Sequence, residues 1–143
     1  MISESIRVLI VDDNADAREF LSRVLNAEDN IEVVAMLEDG NRAVEYVVTE
    51  RPPHVVLMDL NMPHMDGITA CSAIRRAAPA TQVIMISVQD DIGPMRQSIG
   101  AGAATFLVKP VDLDDLLNLI RRAYLTYHEI AATSAPFRSN GAL

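Results

Sequence analysis

Apolar residues recur along this chain with two alternating periods. Short runs rich in Val and Ile, RVLIV (7–11), IEVVAML (31–37), HVVLM (54–58), QVIMIS (82–87) and ATFLV (104–108), are separated by longer segments of helical character. Each run has the length of a strand, and the near-continuous apolar character of the middle ones predicts burial on both faces of a sheet. Between the first two runs, Ala17, Phe20, Leu21, Val24 and Leu25 fall at i, i+3, i+4, i+7 and i+8, the stripe of an amphipathic helix. Leu113, Leu116, Leu117, Ile120 and Tyr124 repeat that stripe after the fifth run. Helices are also predicted over 41–50, ended by Pro52-Pro53, and over 67–78, ended by Pro79. In the fourth, Gly93-Pro94 confines the start to the region of Ile92 or Pro94, with the end at Gly100, because proline suits only a helix's first turn.

Five alternations of strand and helix imply a parallel sheet covered on both faces and joined by right-handed crossovers, a doubly wound α/β domain. A length of 143 residues fits one such domain. From Ala131, the stretch AATSAPFRSNGAL is small, polar and interrupted by Pro136 and Gly141, so it reads as a tail or the start of a linker. A net charge of -8 argues against direct contact with nucleic acid, and the pairs Arg75-Arg76 and Arg121-Arg122 are too short to reverse it. No apolar run approaches the ~18 residues of a membrane span, and MISESIR lacks the basic start and apolar stretch of a secretory signal, so the expectation is a cytoplasmic protein without membrane insertion. Cys71 is the single cysteine, which rules out an intrachain disulfide and a cysteine-based zinc site; its spacing from Gly67, Ala70 and Ile74 predicts buried packing.

Polar residues collect at the strands' carboxyl ends: Asp12 and Asp13 after the first, Asp59 after the third, Ser87 closing the fourth and Lys109 after the fifth. Open α/β sheets bind ligands at that edge. Three carboxylates there repel one another and raise at least one pKa unless a cation joins them, and Mg2+ suits a site of one or two carboxylates, a carbonyl and waters. Lys109 and Ser87 add a positive charge and a hydroxyl, which together could hold a phosphoryl group beside the metal and an aspartate nucleophile. Alone, each feature has a plain structural reading: an Asp after a strand forms a turn or caps a helix, and a Lys-Pro pair makes a surface turn. Their concentration at one edge is what points to chemistry.

These residues lie in VLIVDDN (8–14), VVLMDLNMPHMDG (55–67), MIS (85–87) and FLVKP (106–110), which in this order resemble the receiver domain of bacterial two-component response regulators. The resemblance covers residues 5–128, leaving 129–143 as tail or linker, and implies a flavodoxin-like (βα)5 fold with strand order 2-1-3-4-5. It further implies that Asp59 accepts a phosphoryl group from a sensor histidine kinase or a histidine phosphotransfer protein. Asp13, Asp59 and the backbone carbonyl of Asn61 would bind Mg2+, with Asp12 acting through a metal-bound water. Lys109 would pair with the phosphoryl oxygens and Ser87 would hydrogen-bond to one, with a cis peptide bond at Lys109-Pro110. Ser87 and Phe106 would form the switch, changing how the face of helix 4, strand 5 and helix 5 meets an unknown downstream protein; a homodimer through that face is a further expectation.

Departures from the family pattern bear on rate. Val88 stands where a small residue is common and would crowd the phosphorylation site, while Asn61 and Gln89 occupy positions that influence the lifetime of the aspartyl phosphate. His64 reads as solvent-exposed, and Asp112, Asp114 and Asp115 as favouring the amino end of the last helix. His54 and His128 show no partner in the sequence. The resemblance implies a signalling switch with slow self-phosphorylation and dephosphorylation, free-standing or as the receiver of a longer ATPase or transcription regulator; SVQDD (87–91) resembles receivers joined to MinD/ParA-like ATPases. A haloacid dehalogenase-type phosphatase also uses a strand-end acid and Mg2+, but needs a D-x-D pair where this chain has Asp12 and then Asn14. A nucleotide module lacks its glycine motifs, and a receiver that no longer phosphorylates fits poorly with an intact set of acids, serine and lysine.

Overall fold

The computed structural model describes residues 4–88 and 92–141. The strands are β1 (Ile6–Val11), β2 (Ile31–Leu37), β3 (Val55–Asp59), β4 (Gln82–Ser87) and β5 (Thr105–Val108). They alternate with α1 (Ala15–Asn26), α2 (Gly40–Thr49), α3 (Gly67–Ala77), α4 (Ile92–Gly100) and α5 (Leu113–Gly141). All pairings are parallel and the sheet order is β2-β1-β3-β4-β5, the order implied by the resemblance to receiver domains. Most element limits agree with the apolar periodicity to within one residue.

Alternation along the strands divides the core into two layers. Leu9, Val11, Val56, Met58, Val83 and Met85 pack with the helices α2 and α3. Their neighbours Val8, Ile10, Val55, Leu57, Ile84 and Ile86 pack with Leu25 of α1 and with Leu116, Leu117 and Ile120 of α5. Cys71 is fully buried in the first layer, and burial pushes its thiol up to about 11, so it is an inert packing group. Side-chain carboxylates and an amide begin α1, α2, α3 and α5. Asn14 accepts from the Ala17 N–H at 2.9 Å, Asp39 from Arg42 at 2.8 Å, Asp66 from Thr69 at 2.8 Å and Asp112 from Asp115 at 3.0 Å.

Three features depart from the sequence reading. Phe20, placed on the buried stripe of α1, is 59% exposed; Leu25 takes the central packing position instead. The backbone of α5 runs on through Pro136 to Gly141, so the stretch read as a tail or linker is helical as far as Gly141. His54, without a partner in the sequence, is 1% exposed and richly contacted. Its Nδ1 accepts the Arg7 backbone N–H at 2.9 Å, and its ring meets Tyr124 and Tyr127 edge-on at centroid distances of 4.8 and 4.7 Å. Glu4 Oε2 faces both His54 and His128 at 3.6 Å. This cluster fastens α5 to the amino ends of β1 and β3. Because Nδ1 of His54 accepts a hydrogen bond, the neutral ring carries its proton on Nε2 and offers no free lone pair to a metal there.

Candidate functional site at the carboxyl edge of the sheet

Register brings the strand-end acids level. Val11 lies opposite Met58 in the β1–β3 pair, so Asp12 follows β1 beside Asp59, which ends β3. Strand alternation turns Asp59 to the same side as Val55 and Leu57. Carboxylate oxygens of Asp12, Asp13 and Asp59 all lie within 4.8 Å of one another. Asp12 is 4% exposed, Asp59 half-buried and Asp13 exposed, so the cluster grades from the core outward.

The surrounding groups fix this cluster. Oδ1 of Asp12 accepts the Asn14 N–H at 2.8 Å, while Oδ2 faces Lys109 Nζ at 3.5 Å. Lys109 is held in turn by its own N–H, which donates to the Ser87 carbonyl at 2.7 Å; its peptide bond to Pro110 is cis. Ser87 is fully buried at the end of β4. Burial, then the Asp12 charge, pushes the Asp59 carboxyl up to about 6; Lys109 and the Asn61 N–H, which donates to Oδ1 at 3.3 Å, only partly oppose this. A pocket that makes a carboxylate costly in this way has the donor chemistry of a hard-cation site, and Mg2+ fits it.

The loop after β3 is built around a close approach. A Cβ on Gly67 would stand 2.5 Å from the Asp59 carbonyl oxygen, and the Gly67 N–H donates to the Leu60 carbonyl at 2.9 Å, so α3 starts directly against the strand that carries Asp59. His64, in the same loop, is exposed and holds φ at 69°, a left-handed conformation unusual for a side chain of its size. It does not join the acidic cluster among the described residues. Asn61 is exposed, Val88 is 69% exposed beside Ser87, and Phe106 is half-buried against the layer that contains Met85, its partner across β4 and β5. Gln89 lies outside the described residues.

One contact at this edge was absent from the sequence reading: Nη1 of Arg18 donates to the main-chain carbonyl of Asp12 at 2.6 Å. Its signal was a basic residue close to the amino end of α1, six positions after Asp12. A groove of about 290 Å3 opens beside the acids, lined by Asp12, Ala17, Phe20, Leu21, Pro110 and Leu113 among others.

Comparison with known proteins bears on the family and the fold. The family described as the response regulator receiver domain matches residues 8–121. The transcriptional regulatory protein DegU of Brevibacillus brevis is 36% identical over 116 residues, 81% of this chain and 49% of that protein. The chemotaxis protein CheY of Bacillus subtilis is 40% identical over 116 residues, 81% of this chain and 95% of that protein. Among solved structures, the response regulator domain of CheB from Thermotoga maritima superimposes with a TM-score of 0.77 at 35% identity, covering 85% of this chain and 97% of that one. CheY in the CheX-CheY-BeF3-Mg+2 complex from Borrelia burgdorferi gives a TM-score of 0.77 at 30% identity, covering 85% of this chain and 90% of that one. The chain thus spans nearly all of one relative but about half of another.

Proposed function

The chain belongs to the response regulator receiver family of two-component signalling, and from that premise we propose that Asp59 is its phosphoryl acceptor. The observation that carries the proposal is the meeting of Asp12, Asp13 and Asp59 within 4.8 Å, with Lys109 facing Asp12 at 3.5 Å. A carboxylate oxygen of Asp59 attacks phosphorus in a phosphohistidine, the P–N bond breaks, and its electron pair returns to the imidazole of the donor. Lys109 and the Ser87 hydroxyl then meet the phosphoryl oxygens. Asp13, Asp59 and the Asn61 carbonyl would hold Mg2+, with Asp12 reaching it through water. Bound there, Mg2+ supplies charge neutralisation for the transferring group.

The donor is a sensor histidine kinase or a histidine phosphotransfer protein, for which the apolar groove beside Asp12 and the exposed Phe20 provide a neighbouring surface. Phosphorylation draws Ser87 toward the new oxygens and lets Phe106 turn further inward. The readout is the face of α4, β5 and α5, where Ile92, Met95, Ile99 and Val108 are exposed apolar side chains. That face contacts the downstream protein or a second copy of the chain. Residues 5–128 form the receiver and 129–143 the tail or linker, in a switch that works in the cytoplasm rather than as a metabolic enzyme. No helix among the described residues is long and apolar enough to cross a membrane.

Beryllofluoride, a phosphoryl mimic, tests the reading. With Mg2+ it should raise the thermal midpoint of the wild-type chain and shift the amide resonances of α4 and β5; no change in either measurement, or the same change in Asp59→Asn, refutes it. Val88→Ala is expected to speed both phosphorylation by a small phosphodonor and loss of the phosphoryl group. Unchanged rates would remove Val88 as a brake.

A further inference from the structure

The first residues of α1 include a charge of the wrong sign for their position. The amino end of a helix favours acids and disfavours cations, yet Arg18 is the fourth residue of α1. Its side chain folds back along the helix, and Nη1 donates to the Asp12 main-chain carbonyl at 2.6 Å. Local choices that oppose a helix's own preference are expected where function demands them.

The carbonyl that receives Arg18 needs a donor. Both ladders of β1 end at Val11, so the Asp12 carbonyl is the first one past the strand pairing. Asp12 is 4% exposed, and a buried carbonyl left without a partner is costly. The other polar groups of Asp12 are already engaged: its N–H donates to the Leu37 carbonyl at 3.0 Å, Oδ1 accepts from Asn14 at 2.8 Å and Oδ2 faces Lys109 at 3.5 Å. Arg18 closes the set.

We infer that Arg18 is a positioning residue for the metal site. By holding the Asp12 carbonyl it fixes the plane of the Asp12–Asp13 peptide. That plane sets the direction in which the exposed Asp13 carboxylate is presented toward Asp59. Partner groups that orient metal ligands in this way commonly change metal affinity by about tenfold or more when removed. The inference rests on the reading of the acidic cluster as a Mg2+ and phosphoryl site.

Charge and geometry act in opposite directions at Arg18, which makes its role measurable. A guanidinium bonded to the Asp12 main chain adds positive charge near the acidic cluster and opposes a dication there, so removing the charge alone tightens Mg2+ binding. Losing the carbonyl clamp loosens Asp13 and weakens it. The experiment is calorimetric titration of the metal-free full chain with MgCl2, for wild type, Arg18→Met and Arg18→Lys. Arg18→Met is expected to bind Mg2+ about tenfold more weakly, whereas Arg18→Lys, which keeps a donor and the charge, stays close to wild type. Hydrogen exchange of the Asn14 amide should quicken in metal-free Arg18→Met while amides of β3 and β4 keep their protection. Arg18→Gln, whose amide ends short of the guanidinium, provides a second variant and should weaken binding in the same direction. Equal or tighter Mg2+ binding by Arg18→Met, with wild type binding normally, overturns the role of Arg18 alone. Absence of Mg2+ binding in wild type overturns both this inference and the reading of the site.

Discussion

Asp59 sits where its charge is opposed by burial and by Asp12, with Lys109 and the Asn61 N–H offsetting only part of that cost. Its carboxyl is pushed from 3.8 up to about 6. The folded-state pKa therefore lies above the unfolded one, so the associated stability is complete below about 3.8 and is lost as pH rises through about 6. Asp59→Asn is expected to stabilise the metal-free chain by roughly 1–2 kcal/mol at neutral pH, less than the full shift implies because the group is partly solvated. Denaturant unfolding should find this gain at pH 7 and little of it near pH 4. His64 is costly for a different reason, its left-handed backbone at φ 69°. Replacing it by glycine should stabilise the protein by about 0.5–1 kcal/mol, and a loss of stability would show that the loop depends on the imidazole. The acids were legible in the sequence because each lies at the carboxyl end of a strand; the conformation of His64 was not, since nothing in its neighbours announces a positive φ.

At the scale of elements, α3 and β3 are locked together by the absence of one side chain. A Cβ on Gly67 would meet the Asp59 carbonyl oxygen at 2.5 Å and the Leu60 Cα at 3.0 Å, both backbone atoms that have little room to move. Gly67→Ala should cost about 2 kcal/mol or more and shift the loop that carries Asn61, weakening Mg2+ binding as well as the fold. Wild-type stability and affinity in that variant would mean that the close approach is soft. Periodicity identified where α3 begins, but the need for glycine comes from contact with a neighbouring strand. The same limit explains Phe20: helical spacing gives the direction of an apolar stripe, whereas its degree of cover depends on what lies opposite.

Across the whole molecule, the sheet separates two polar clusters. The acids occupy the carboxyl edge, and Glu4, Arg7, His54 and His128 occupy the amino ends of β1 and β3 together with α5. Burial, then the Arg7 charge, lowers His54 to about 4, with Glu4 opposing. The folded pKa is below the ordinary 6.5, so the stability that this neutral histidine contributes is present above 6.5 and is lost as pH falls through about 4. The unfolding midpoint should decline across that window, and the His54→Gln chain should decline less. An identical decline would assign the effect to other groups. This second cluster was invisible in the sequence because it joins residues from the amino terminus, the start of β3 and the middle of α5. The doubly wound parallel sheet and the edge that bears the acids were legible because they follow from alternation and crossover handedness, whereas the order of the strands came from the resemblance to receiver domains.

Asp59 is expected to take up a phosphoryl group with the help of Mg2+. Mapping of the modified residue after incubation with acetyl phosphate and Mg2+ tests this. The label should fall on Asp59 within residues 55–67, disappear when Mg2+ is withheld, and be absent from Asp59→Asn. A label on another residue, or one that survives Asp59→Asn, would rule out Asp59 as the phosphoryl acceptor.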